Sequence, residues 1–234
     1  MDLAGIQGSS AFFVDFCHEG KLDPKGYAHV QCALLYTTRG GSRRVRLHTL
    51  RLTVSNAYAA LYRNTDLEAC TTAVMHHGIH DAVNKGPKTA REQMIQRTIT
   101  LLVSYRKHCS QGSHTGQLLL PEQLKLLPLY TLAVMKSDAL VGGTDTRIDS
   151  RVQCIYELLS MPIHRVLGFL YPRIYSVHNL MNHSTAGQFN QTTGLLHMPA
   201  LQQLTSDIIM NHGVYVQHDQ QARVVYLWLG SSVS

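Results

Sequence analysis

The hydrophobic period of this chain changes twice, and that change limits what it can fold into. Between Arg44 and Thr49 the period is two: Arg44, Arg46 and His48 alternate with Val45, Leu47 and Thr49, the pattern of a strand with a basic face and an apolar face. From Asn56 the period becomes helical, and after residue 165 it returns to short aromatic and β-branched runs. Strands, then helices, then strands again describe an α+β chain with its elements segregated along the sequence.

The first 54 residues are expected to hold strands at Ala11–Cys17, Val30–Thr38 and from Arg43 onward. Arg39-Gly40-Gly41-Ser42 supplies a hairpin turn between the last two. The alternation slips at Leu50-Arg51, which predicts a bulge or bend there. Two or three strands cannot enclose a core by themselves.

Over residues 55–165 the spacing predicts an all-helical unit. Tyr58, Leu61 and Tyr62 mark a short helix. Thr65-Asp66-Leu67-Glu68 has the spacing of a capping box with Thr65 and Glu68 as its partners. Gly86-Pro87 stops one helix and starts the next. In that next helix Met94, Ile95, Thr98, Ile99, Leu101, Leu102, Tyr105 and Cys109 form the inward stripe, with Glu92, Gln93, Gln96, Arg97 and Lys107 facing water. A polar loop is expected at residues 111–116. A helix over Glu122–Leu127 is interrupted by Pro128, and Asp145 caps a helix whose inward stripe is Ile148, Val152, Ile155 and Leu159. The tail reads as a strand at Phe169–Val177, limited by Pro172, then a loop over His178–Pro199. A short helix or turn follows at Leu204–Met210, then a hairpin of Gly213–Gln217 with Val224–Leu229.

The net charge of +6 favours acidic partners such as lipid head groups, nucleic acid or acidic peptides. The five cysteines are odd in number and widely separated, which argues for reduced thiols and against a disulfide framework. No apolar run reaches the ~20 residues of a membrane span, and the N-terminus lacks the basic and apolar regions of a secretory signal. A cytoplasmic chain is expected.

Chemical motifs are few. His76 and His80 stand four apart, a zinc-like spacing on a helix, but His77 occupies the position where a metalloprotease carries Glu, and no third ligand is spaced to join them. These histidines are expected to be solvent-exposed, with no metal bound. There is no phosphate-binding glycine loop, no nucleophile elbow and no paired carboxylates, so no catalytic residue is assigned. The cluster Arg39, Arg43, Arg44, Arg46 and Arg51 is the one polar feature above background. It is compatible with a solvated strand face, a membrane-facing patch or a nucleic-acid surface. The absence of any aromatic between residues 39 and 54 counts against base stacking.

Longer segments resemble a known family. Gln31-Cys32-Ala33-Leu34-Leu35-Tyr36-Thr37 and Arg43-Arg44-Val45-Arg46-Leu47-His48 are followed in order by Leu61-Tyr62-Arg63-Asn64 and Tyr105-Arg106-Lys107-His108-Cys109. Gly116-Gln117-Leu118-Leu119-Leu120-Pro121-Glu122, Leu124-Lys125-Leu126-Leu127-Pro128-Leu129-Tyr130 and Lys136-Ser137-Asp138-Ala139-Leu140 come next. Tyr171-Pro172 and Val225-Tyr226-Leu227-Trp228-Leu229-Gly230 complete the set. In this the chain resembles the cargo-adaptor subunit of the COPII vesicle coat, the Sec twenty-four family. The Lys-Leu-Leu-Pro-Leu-Tyr and Lys-Ser-Asp-Ala-Leu segments favour the adaptor over its GTPase-activating sister subunit.

The resemblance implies C-terminal strands of a β-sandwich at 1–54, a helical domain at 55–165 and the start of a gelsolin-like α/β domain, truncated, at 166–234. It further implies a non-enzymatic fragment of an inner-coat cargo adaptor in transport from the endoplasmic reticulum to the Golgi. Such a fragment would be peripheral on endoplasmic reticulum membrane and COPII vesicles. The implied partners are the sister subunit, the small coat GTPase, transmembrane cargo tails and the acidic membrane, with no nucleic acid. Arg39, Arg43, Arg44 and Arg46 would form its membrane-facing patch. No cofactor is expected, because the family's zinc finger has no counterpart here. A basic nucleic-acid-binding protein is the alternative.

Overall fold

In the computed structural model, residues 5–8, 10–110, 116–143, 146–182, 184–219 and 224–233 are described. The fold is α+β; the described residues form two antiparallel sheets and a set of helices. The chain divides into two compact units: Met1–Phe13 with Asp66–Ile99 and Leu126–Ser234, and Val14–Thr65 with Thr100–Lys125.

The second unit holds the hairpin of β1 (Tyr27–Thr37) and β2 (Arg43–Thr53). Its turn closes with the Thr38 amide donating to the Ser42 carbonyl at 2.9 Å and the Gly41 amide donating to that of Thr38 at 2.9 Å. Gly41 has φ +83°, a left-handed conformation that a side chain would strain. The expected bulge at Leu50-Arg51 is absent: pairing runs unbroken from Thr37↔Arg43 to Tyr27↔Thr53. What changes at Leu50 is chemistry. The face carrying Arg44, Arg46 and His48 simply continues with Leu50 and Leu52.

The expected strand at Ala11–Cys17 does not form either. The same unit contains α1 (Tyr58–Arg63). The Tyr62 hydroxyl donates to the Leu101 carbonyl at 2.8 Å, and its ring meets Tyr105 edge-on at 5.0 Å.

In the first unit, α2 (Leu67–Lys85) starts one residue later than a Thr65 capping box requires. The Asp66 carboxylate accepts from the Ala69 amide at 2.7 Å, while the Thr65 hydroxyl donates back to the Leu61 carbonyl at 2.8 Å. Asp wins because its carboxylate both accepts the free amide and complements the positive helix end. Asp66→Ala should therefore cost about 1 kcal/mol in urea unfolding. Thr65→Ala should cost less, and the reverse order would return the cap to Thr65.

Gly86 (φ +90°) ends α2 and Pro87 opens α3 (Pro87–Cys109). The face of α3 that is buried is Ala90, Met94 and Thr98. Ile95 and Ile99, placed inward by the sequence pattern, are exposed. The two helices approach closely at Gly78, where a Cβ would fall inside the Met94 side chain.

Other helix boundaries also differ from expectation. Glu122–Leu124 is a single 3-10 turn. Pro128 does not interrupt a helix but sits in the first turn of α4 (Leu127–Lys136), where no amide hydrogen is needed. In α5 (Ile148–Ser160) the fully buried residues are Cys154 and Leu158; of the expected stripe, Ile155 and Leu159 are partly buried against the core, while Ile148 and Val152 are exposed. The capping role given to Asp145 and most of the 111–116 loop lie outside the described residues. Phe169 belongs to α6 (Ile163–Leu170) rather than to a strand. Val166 and Leu170, four apart, put one side of that helix into the core, which is why helix prevails there. The core of this unit gathers Met75, Ile79, Met94, Val134, Leu140, Leu158 and Val166.

The second sheet orders its strands β3 (Arg173–Ser176), β4 (Val214–Asp219) and β5 (Val224–Leu229), all antiparallel. Tyr215 is its buried centre: its hydroxyl accepts from the Met210 amide at 3.1 Å and donates to the Ile208 carbonyl. The expected turn at Leu204–Met210 is a 3-10 turn at Ser206–Ile208, and the expected terminal hairpin is β4–β5. Among the described residues no helix is long and apolar enough to cross a membrane.

Candidate functional site

The basic cluster is set by the register of the β1–β2 hairpin. Directly paired residues share a side of a sheet and neighbours along a strand alternate. Arg44, Arg46 and His48 therefore lie on one side, opposite Tyr36, Leu34 and Cys32. Arg43 and Arg51 lie on the other, with Val45 and Leu47. The four arginines singled out from sequence are thus not one patch: Arg39 is in the turn, Arg44 and Arg46 share a face, and Arg43 points away from them. All four are exposed.

Alternate residues on a strand stand about 7 Å apart, so Arg44 and Arg46 present two guanidiniums able to engage separate phosphate or carboxylate groups on one surface. Arg51 is differently occupied, its guanidinium lying 4.3 Å above the centre of the Tyr27 ring.

The histidine cluster does something the sequence did not announce. Phe13 stacks on His76 at 4.9 Å with the planes 16° apart, and meets His77 edge-on at 5.5 Å. Burial lowers the pKa of His76, and the neighbouring His77 charge adds to the effect. Among the described residues no group of three or more His, Cys, Asp or Glu side chains is placed to hold a metal ion.

Sequence reading also missed an ion-pair cluster. Asp81 on α2 is buried and receives Lys85 at 2.9 Å and Arg97 at 2.7 Å. Its pairing with Arg97 crosses from α2 to α3, which no local spacing reveals. A cleft of about 420 Å³ bounded by Leu129, Leu132, Lys136, Phe169 and Tyr171 has Cys154 in its wall. Burial pushes that thiol up, away from the nucleophilic thiolate.

Two family models match parts of the chain. Residues 1–55 match the Sec23/Sec24 beta-sandwich domain and residues 66–167 match the Sec23/Sec24 helical domain. The chain belongs to the Sec23/Sec24 family. Within it, similarity is to Sec24 proteins. The human protein transport protein Sec24C is 32% identical over 233 residues, covering 100% of this chain and 20% of the relative. Protein transport protein SEC24 B of Arabidopsis thaliana is 34% identical over 234 residues, again 100% and 20%. The crystal structure of the human COPII-coat protein Sec24c superposes with a TM-score of 0.75 at 31% identity, over 93% of this chain and 26% of that one. The chain therefore spans about one fifth of the length of these Sec24 relatives.

Proposed function

We propose that this chain serves as part of a COPII inner-coat cargo adaptor in transport from the endoplasmic reticulum to the Golgi, with no reaction or cofactor of its own. The observation that carries this reading is collinear likeness to Sec24 proteins along 100% of the chain. Residues 1–54 would be the sandwich end, 55–165 the helical domain and 166–234 the beginning of a gelsolin-like domain. The partners in this reading are the GTPase-activating sister subunit, the small coat GTPase, cargo tails and the acidic cytoplasmic leaflet of the endoplasmic reticulum. Nucleic acid has no part in it.

The exposed face of Arg44 and Arg46 supports a membrane contact, since each basic residue near an anionic leaflet contributes about 1 kcal/mol. In vesicle flotation, the chain should bind phosphatidylserine-rich vesicles and lose affinity as salt rises. Arg44→Glu with Arg46→Glu should weaken binding by about thirtyfold or more, the loss of about 2 kcal/mol. Arg43→Glu, on the other face, should weaken it less. Equal losses for all three, or tighter binding to RNA than to vesicles of matched charge, would remove the membrane role. Recruitment tests the coat reading separately: added sister subunit and coat GTPase should increase the amount of chain on acidic vesicles, and no increase with folded protein would overturn it.

A further inference from the structure

Among the described residues, the outer side of α5 is apolar and uncovered. Ile148, Val152 and Tyr156 follow one another at four-residue spacing and are 79%, 59% and 68% exposed. At four residues apart they form a continuous ridge along the helix. At its C-terminal end the ridge runs into a cleft of about 700 Å³ between α5 and the N-terminal segment, lined by Ile6, Phe12, Tyr156 and Leu159. Phe12 and Ile6 are themselves more than 45% exposed. Isolated surface apolar residues need no explanation, but a helix ridge continuous with an apolar cleft is the form of a docking site.

The charges beside the ridge select the occupant. One row around the helix, again at four-residue spacing, come Asp149, Gln153 and Glu157, all exposed. The Gln153 amide donates to the Glu157 carboxylate at 2.8 Å and holds it on that row. Arg151 turns away to the carbonyls of Ala139 and Val141 at 3.3 and 3.0 Å, which leaves Arg147, the exposed N-cap residue, as the arginine beside the start of the ridge. An acidic rail on a chain of net charge +6 repels an anionic lipid surface. It also disfavours a second copy of the same face, which would bring like charges together in a two-fold contact. A basic partner is favoured.

We infer that the α5 ridge and its adjoining cleft dock a basic amphipathic helix of a partner protein, whose apolar side chains fill the cleft and whose Lys or Arg residues lie along Asp149 and Glu157. A partner helix with apolar anchors three and four residues apart has the right spacing to interdigitate with Ile148, Val152 and Tyr156.

The probe is a fluorescein-labelled synthetic helix with Leu on one face and Lys along its flank, titrated into the whole chain by anisotropy. It should bind, weaken with salt, and lose about tenfold or more of its affinity when Ile148, Val152 and Tyr156 are all changed to Gln. Those side chains are exposed, so circular dichroism should be unchanged. A second variant, Asp149→Lys with Glu157→Lys, should lose the Lys-flanked probe and gain one flanked by Glu. Equal binding by wild type and the Gln variant would overturn the site. So would concentration-dependent dimers abolished by that variant, which would make the occupant a second copy. Binding of phosphatidylserine vesicles that depends on the ridge would make it a lipid. Amide protection of α5 in a longer form of the protein carrying chain outside residues 1–234 would show the face to be covered internally.

Discussion

Leu158→Ala should destabilise the helical unit by about 3 kcal/mol, while Val152→Ala, six residues earlier on the same helix, should stay within about 0.5 kcal/mol of wild type. Leu158 has no exposure and belongs to the core cluster, so truncation leaves a cavity that the surrounding core side chains can only partly fill. Val152 is mostly in water already, and its truncation removes little buried surface. Urea unfolding followed at 222 nm reads both. The pair is informative because the hydrophobic pattern alone gives the opposite ranking: Val152 falls on the Ile148–Leu159 stripe and Leu158 does not. Equal losses for the two variants would mean that α5 is rotated from the orientation described.

The reason for that inversion bears on what could be read from the sequence. Helix α5 carries two apolar rows, one through Cys154 and Leu158 and one through Ile148, Val152 and Tyr156. Periodicity detects both and cannot say which faces the core. The expected stripe joins Ile148 and Val152 to Ile155 and Leu159; the last two do pack against the core and the first two do not. Ile95 and Ile99 on α3 are likewise exposed. Element type was legible where local chemistry decides it: Gly86 and Pro87 between helices, Gly41 in the hairpin turn, and the β4–β5 hairpin. Boundaries were lost where tertiary burial decides, as at α6, where Val166 and Leu170 keep an aromatic stretch helical. Of the basic cluster, the residues were legible but the sides were not. The alternation of Arg44, Arg46 and His48 carried over. Arg43 follows its own parity onto the opposite side, and adjacency in sequence masked the difference.

Asp81→Ala should cost about 2 kcal/mol and should alter how stability responds to acid. The Asp81 side chain is 4% exposed, against 49% for Lys85 and 41% for Arg97. Removing one partner of a fully buried pair costs about 3–5 kcal/mol. Here both cations reach water when the carboxylate is gone, and that screening places the loss below the range. Burial by itself would raise the Asp81 carboxyl. The hydrogen bonds and charges of Lys85 and Arg97 outweigh it, and the pKa ends below its ordinary value.

A carboxylate whose pKa is depressed on folding stabilises the native state above its unfolded value, about 3.9, and loses that contribution as pH falls through the lower folded value. The difference in stability between wild type and Asp81→Ala should therefore be flat near neutrality and shrink progressively as the solution is acidified below about pH 4. Its independence of pH in that window would show that the charge on Asp81 contributes nothing and that only its shape is used. Asp81→Asn separates the two contributions, keeping the volume and one acceptor oxygen while removing the charge. It should lie between wild type and the Ala variant near neutral pH and have no acid-dependent loss from residue 81.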